Sequence, residues 1–163
     1  MISAIQKLNT KIGKLVSWGL LLMVVLTCII VILRYVFNIG FIWMQELVRF
    51  LYASVFLICA AFTFSADEHV RVDIIYSRLS IKKKKIVNLF GNILLLLPVC
   101  VTILLYSFNY VVNSWIQLEG SLEERGLHLV YIMKSFIWIF AIMLIIEGIN
   151  QIINNIKSIF EKS

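Results

Sequence analysis

Charged residues occur in clumps along this chain, and between the clumps run long stretches built almost wholly of apolar side chains. Residues 15–33 carry no charge and are bounded by Lys14 and Arg34. Coiled as a helix at about 1.5 Å per residue, that run spans close to the roughly 30 Å hydrocarbon layer of a bilayer. It is too long for the apolar part of a signal peptide and no small-x-small cleavage pattern follows it, so it reads as an uncleaved first span. A second run covers residues 50–66 and extends back through Leu47, Met44 and Trp43, with Glu46 and Arg49 in its first turns. The third, residues 86–118, has no charge at all and exceeds what a perpendicular crossing needs. Asn88 and Asn92 near one end and Asn109, Asn113 and Gln117 near the other suggest that both ends leave the hydrocarbon. Pro98, the sole proline, predicts a kink inside it. The fourth run is interrupted by Lys134 and Glu147. The pattern predicts helices over about 15–34, 43–66, 86–117 and 129–153, in one domain covering residues 1–163.

Two shorter segments have amphipathic spacing. Ile2, Ile5, Leu8 and Ile12 share one helical face while Lys7, Lys11 and Lys14 occupy another. Val72, Ile75, Tyr76 and Leu79 repeat the arrangement between Arg71 and Arg78. Helices lying in the headgroup region over about 2–13 and 70–79 are the expectation, with plain extension of the neighbouring spans as the alternative.

Composition fixes the solvent. The apolar set AVILMFWYC makes up 61% of the chain, charged residues 15%, and mean hydropathy is +0.97. A soluble chain averages about 45–50% apolar and about 25% charged. The surplus faces lipid, so the fold class is an all-α integral membrane protein with four transmembrane helices. The net charge of +6 would suggest nucleic acid in a soluble protein, but here its placement matters more. Lys7, Lys11, Lys14, Arg71, Arg78, Lys82 to Lys85, Lys157 and Lys162 fall on one side of the four-span layout. Arg34, Arg49, Arg125 and Lys134 fall on the other. The positive-inside rule then puts both termini in the cytoplasm, with Trp43, Trp115 and Trp138 toward the outer interface and Trp18 toward the inner one.

Chemistry-bearing motifs are scarce. Cys28, Cys59 and Cys100 lie inside apolar runs and match neither a zinc site nor a disulfide framework. No Gly-rich phosphate loop is present. His69 and His128 fall in loops on opposite sides, which argues against a haem clamped between helices. His69 and Asp73 have helical i, i+4 spacing, but a solvated loop tied by local hydrogen bonds explains them more simply than a metal. The expectation is no catalytic, substrate-binding or metal-ligating residue, no cofactor and no enzyme. Lys134 and Glu147 are the intramembrane ionisable residues; thirteen positions apart on one helix, they point in different directions. Glu147 suits a contact with a neighbouring helix or the inner interface better than an ion pathway. Glu46 and Arg49, at i, i+3, share a face and can neutralise each other, either as a local pair or as a contact for a partner.

Read in order, Arg34-Tyr-Val-Phe-Asn38, Trp43-Met-Gln-Glu46-Leu-Val-Arg49 and Glu68-His69-Val-Arg71-Val-Asp73 resemble the small membrane subunit of tripartite ATP-independent periplasmic (TRAP) transporters. Order, spacing and the four-span layout all agree, and the likeness covers essentially the whole chain. The last quarter, from Gly126-Leu127 through Lys134 to Glu147-Gly148, departs from it by lacking prolines on either side of Lys134.

The resemblance implies a component of an ion-gradient-driven uptake system in a bacterial cytoplasmic (inner) membrane. Its partners would be a periplasmic binding protein that captures a small organic solute, typically a carboxylate, and a large membrane subunit of about a dozen spans that carries the solute as an elevator. The small subunit would enlarge the static scaffold and help the binding protein dock. On this reading Arg34, Trp43, Glu46 and Arg49 cluster at the outer ends of the first two helices, and His69, Arg71 and Asp73 at the inner end of the second. All seven are candidate partner contacts. Two alternatives from other classes are a self-contained four-helix exporter, for which Glu147 would supply the membrane carboxylate, and a membrane assembly factor.

Overall fold

The structure, a computed structural model, describes residues 2–65 and 79–160. It is all helix: α1 (Ile2–Tyr35), α2 (Ile42–Ser65), α3 (Ile81–Gly91), a π-helical turn (Asn92–Leu96), α4 (Leu97–Ile116) and α5 (Val130–Phe160). Among the described residues, four stretches are long and apolar enough to cross a bilayer: Val16–Tyr35, Ile42–Phe64, Lys83–Ile116 and Val130–Lys157. The helix expected separately over 2–13 is not a separate element, because α1 runs unbroken from Ile2 into the first span. No breaker stands at the junction; Gly13 alone lowers helix propensity by only about 1 kcal/mol. The surface helix expected over 70–79 lies outside the described residues apart from Leu79.

The helices form an open row. α1 packs on α2, α2 on α5, and α5 on α3, the π turn and α4. Among the described residues no comparable contact joins α1 or α2 to α4, so the row does not close into a bundle. α5 is the central element and the most buried, whereas no residue of the first span is buried. Gly19 sets the spacing at the α1–α2 contact: a Cβ there would lie 2.8 Å from Val55 Cγ2, too close for any other residue at this separation.

Burial differs from that of a soluble protein, with polar residues beside apolar ones inside and large apolar residues outside. Large apolar side chains point outward, among them Leu21, Tyr52, Phe56, Leu105 and Phe108. Buried positions include Glu46, Asn92, Ser114, Lys134, Glu147 and Asn150. A small apolar core of Phe64, Cys100, Ala141 and Leu144 joins α2, α4 and α5. Cys28, by contrast, is exposed on α1.

Pro98 is accommodated rather than merely inserted. It has no N–H to donate, and its ring meets the carbonyl four residues back, that of Leu94. The chain widens into the π turn just before it, and the Leu97 N–H reaches five residues back to the Asn92 carbonyl. π turns of this kind are a recognised cause of helix irregularity. The turn also places Asn92 inward, where its Nδ2 donates to Gln151 Oε1 at 3.3 Å. Gln151 Nε2 donates in turn to the Phe64 carbonyl at 3.0 Å. That carbonyl lies in the last turn of α2, where backbone acceptors lack intrahelical donors. One polar chain thus ties α2, α5 and the π turn together.

Candidate functional site: the loop latch

The residues that carry chemistry gather at the end of the row formed by the N-terminus of α2, the α4–α5 loop and the first turns of α5. Glu46 is in the first turns of α2 and only 5% exposed. Its carboxylate accepts hydrogen bonds from the Ser121 hydroxyl, from the Leu127 backbone N–H at 2.6 Å and from Arg49 Nη2 at 3.3 Å. The first two donors sit in the α4–α5 loop, far away in sequence. Hydrogen bonds to an ionised acceptor are about twice as strong as neutral ones. Glu46 therefore acts chiefly as an anchor for that loop.

The loop is shaped to reach it. α4 ends with Leu118 in the left-handed region at φ 46°. The Glu119 N–H bonds the Ser114 carbonyl at 3.0 Å and the Leu118 N–H bonds the Trp115 carbonyl at 3.2 Å, the pairing of a Schellman cap. A leucine in that conformation costs about 1–2 kcal/mol, and the cap presents Glu119 to the Lys134 ammonium, with which it pairs. Lys134 is buried on α5 and also sits 3.8 Å from the centre of the Tyr110 ring. Farther along, Arg125 turns the chain at φ 65° and Gly126 passes directly over Glu46. A Cβ at Gly126 would lie 2.7 Å from Glu46 Oε2, so only glycine lets the backbone come this close. A recess of about 330 Å³ lies between the pieces, lined by Glu46, Arg49, Glu119, Ser121 and Met133 among others.

Aromatic residues hold the same end. Trp115 Nε1 donates to Ser135 Oγ at 2.8 Å and meets the Tyr131 ring edge-on at 4.7 Å. Trp138 Nε1 donates to Ser107 Oγ at 3.1 Å and stacks on Phe108. Both contacts join α4 to α5.

The expected site residues separate in three ways. The Glu46–Arg49 pair exists, but its members differ: Glu46 is consumed inside the chain, while the Arg49 side chain is 66% exposed. Arg49 thus stands at the surface while Glu46 is enclosed beneath the loop. Arg34, in the last turn of α1, faces a recess with Asn38, Gly40, Ile42 and Gln45, and Trp43 is partly exposed beside Phe41. Neither reaches the Glu46 latch. Lys134 belongs to the latch, whereas Glu147 is fully buried toward the other end of α5 among the contacts that hold the row together. His69, Arg71 and Asp73 lie outside the described residues. The latch residues that sequence reading missed are Glu119, Ser121 and the Leu127 amide. Their only sequence signal is a glutamate early in a span whose sole close basic neighbour is exposed. Among the described residues no three His, Cys, Asp or Glu side chains come together as a metal cluster.

Glu46→Ala would leave the Leu127 N–H and Ser121 hydroxyl without their acceptor, at a cost of about 1–3 kcal/mol. Amide exchange over residues 117–129 should speed up while exchange in the middle of α5 stays slow. Unchanged loop exchange would contradict the latch.

The Glu119 carboxyl is held below the usual glutamate range, chiefly by the hydrogen bond from Lys134. Since its folded value lies below the unfolded one, its contribution is complete above the ordinary glutamate value and fades as pH falls through the lowered value. Acidification should therefore loosen the loop only below the ordinary glutamate range. Glu119→Gln should remove that step from the exchange profile.

Comparison with known proteins gives one family. The model described as "Tripartite ATP-independent periplasmic transporters, DctQ component" matches residues 23–158. No curated protein and no solved structure matches the chain.

Proposed function

The chain belongs to the DctQ component family of TRAP transporters, and on that premise we propose that it is the static scaffold subunit of an ion-gradient-driven uptake system for a small organic solute, a carboxylate by class. The observation that carries this reading is the open row. A row that does not close encloses no path across the bilayer, yet it presents broad apolar faces, with α1 at its edge against α2 and no residue of the first span buried. Such a sheet of helices suits a fixed wall against which a moving subunit slides. Tryptophans near the outer ends, Trp43 and Trp115, and the lysines at the start of α3 would anchor it at both interfaces and resist tilting.

On this reading the loop latch is the surface nearest a periplasmic binding protein. The loop it fixes bears Glu123, Glu124 and Arg125, all exposed, and Leu122, which projects fully into solvent. Arg49, exposed at the rim, offers a cation to an unlike chain. Ordering the loop beforehand lowers the entropy lost when a partner docks. The site residues Arg34, Trp43 and Arg49 are proposed as contacts, with Glu46 as the positioning residue beneath them. The charge asymmetry supports a cytoplasmic position for both termini and the lysine run 82–85.

Two outcomes test this. Reconstituted alone, the chain should move no solute. Uptake should appear when the large membrane subunit, the binding protein and an ion gradient are all supplied, without ATP. Uptake or drug efflux by the purified chain alone would favour the exporter instead. In a cysteine-free background, cysteines at Ser80 and Ser121 should react with an impermeant reagent from opposite sides. Reaction of both from outside would contradict the orientation.

A further inference from the structure

α4 carries one line of side chains that lipid does not suit. Thr102, Tyr106, Asn109 and Asn113, with Gln117 at the cap, recur at helical spacing. At about 100° per residue all five fall inside an arc of about 80°. All five are exposed, Tyr106 the most at 85%. Cys100, Val111 and Ser114, buried toward α5, lie about 100–160° round the helix from the middle of that arc. The five side chains form no hydrogen bond with any of the described residues.

Depth alone does not explain this line. A helix end emerging into the headgroups would become polar all round, but Leu105 and Phe108 share the same stretch on other faces and are exposed and apolar. Polarity here follows direction. Counting back from Ile116, Asn109, Tyr106 and Thr102 lie about 10, 15 and 21 Å down the helix axis. An amide or hydroxyl turned into hydrocarbon without a partner is costly, and the usual remedy in a bilayer is a hydrogen bond to a neighbouring helix.

We infer that this stripe is the seam along which α4 packs on a transmembrane helix of the large subunit, one that presents Ser, Thr, Asn, Gln or His side chains along the facing line. The inference rests on the scaffold reading, which sets an unlike membrane chain beside this one. A second copy fits the seam poorly. α3, the π turn and α4 form one continuous helix whose inner end bears Lys83, Lys84 and Lys85. Parallel self-pairing along the stripe would set two lysine runs side by side at one height, and like charges across an interface repel.

The test is co-expression of the full chain with its large subunit, followed by pull-down from mild detergent. The variant Asn109→Leu with Asn113→Leu makes α4 more apolar and alters only exposed positions, so membrane abundance should hold. Recovery of the large subunit should fall roughly tenfold, the size of two ordinary interhelical polar contacts. Thr27→Leu, an exposed change on α1, should leave recovery unchanged. In parallel, p-benzoylphenylalanine replacing Tyr106 should crosslink on irradiation to the large subunit. Undiminished recovery with the leucine variant, or an adduct between two copies of this chain, would overturn the seam alone. A wild-type chain that recovered no large subunit would overturn the functional reading and the seam with it.

Discussion

Hydrocarbon offers no partner to a polar group, and every other feature of this fold follows from that constraint. Between helices in lipid there is no hydrophobic drive, since the surrounding tails are as apolar as leucine. What distinguishes an inner face from an outer one is then polarity, and the buried positions of the central helix α5 include Lys134, Glu147 and Asn150. Each neighbour joins α5 through polar or aromatic contacts: Gln151 to the Phe64 carbonyl of α2, Asn92 of the π turn to Gln151, and Trp138 to Ser107 of α4. α1 sits at the edge of the row, held to α2 by close packing at Gly19 and by a hydrogen bond between Ser17 and Cys59.

The latch around Glu46 uses the same constraint in the opposite sense. A carboxylate in the first turns of a span is costly, and Glu46 offsets that cost by taking donors from a loop otherwise free to wander. The strained backbone at Leu118 and the close pass of Gly126 are the local consequences. The fixed loop presents Arg49 and the exposed loop residues 122–125 as a unit.

Much of the fold was legible in the sequence because the signal was composition over long windows. Uncharged runs of span length mark the helices, and the match to the DctQ component agrees with motifs around Arg34, Trp43, Glu46 and Arg49. Lateral arrangement was not legible, since apolar periodicity says little about which neighbour a lipid-bathed helix chooses. Pro98 announced an irregularity, but a π turn ahead of it cannot be told from a kink without backbone hydrogen bonds. Glu46 and Arg49 were visible as an i, i+3 pair. The stronger partners, the Ser121 hydroxyl and the Leu127 amide, lie seventy-five and eighty-one positions away, and no local pattern reports them. The asparagines of α4 read as a sign of depth in one dimension and become a directional stripe only once the helix has a buried face to oppose them.

The central claim is that this chain is a rigid wall while its partner moves. Spin labels at Tyr35 and Ile116, the C-terminal ends of α1 and α4, would span the whole row. Distances between them should be measured in the assembled transporter with and without substrate and ion gradient. One distance distribution, unchanged across these conditions, is what a static scaffold gives. A shift of several ångströms, or a second population appearing only during transport, would mean that the row itself flexes in the cycle and is not a scaffold.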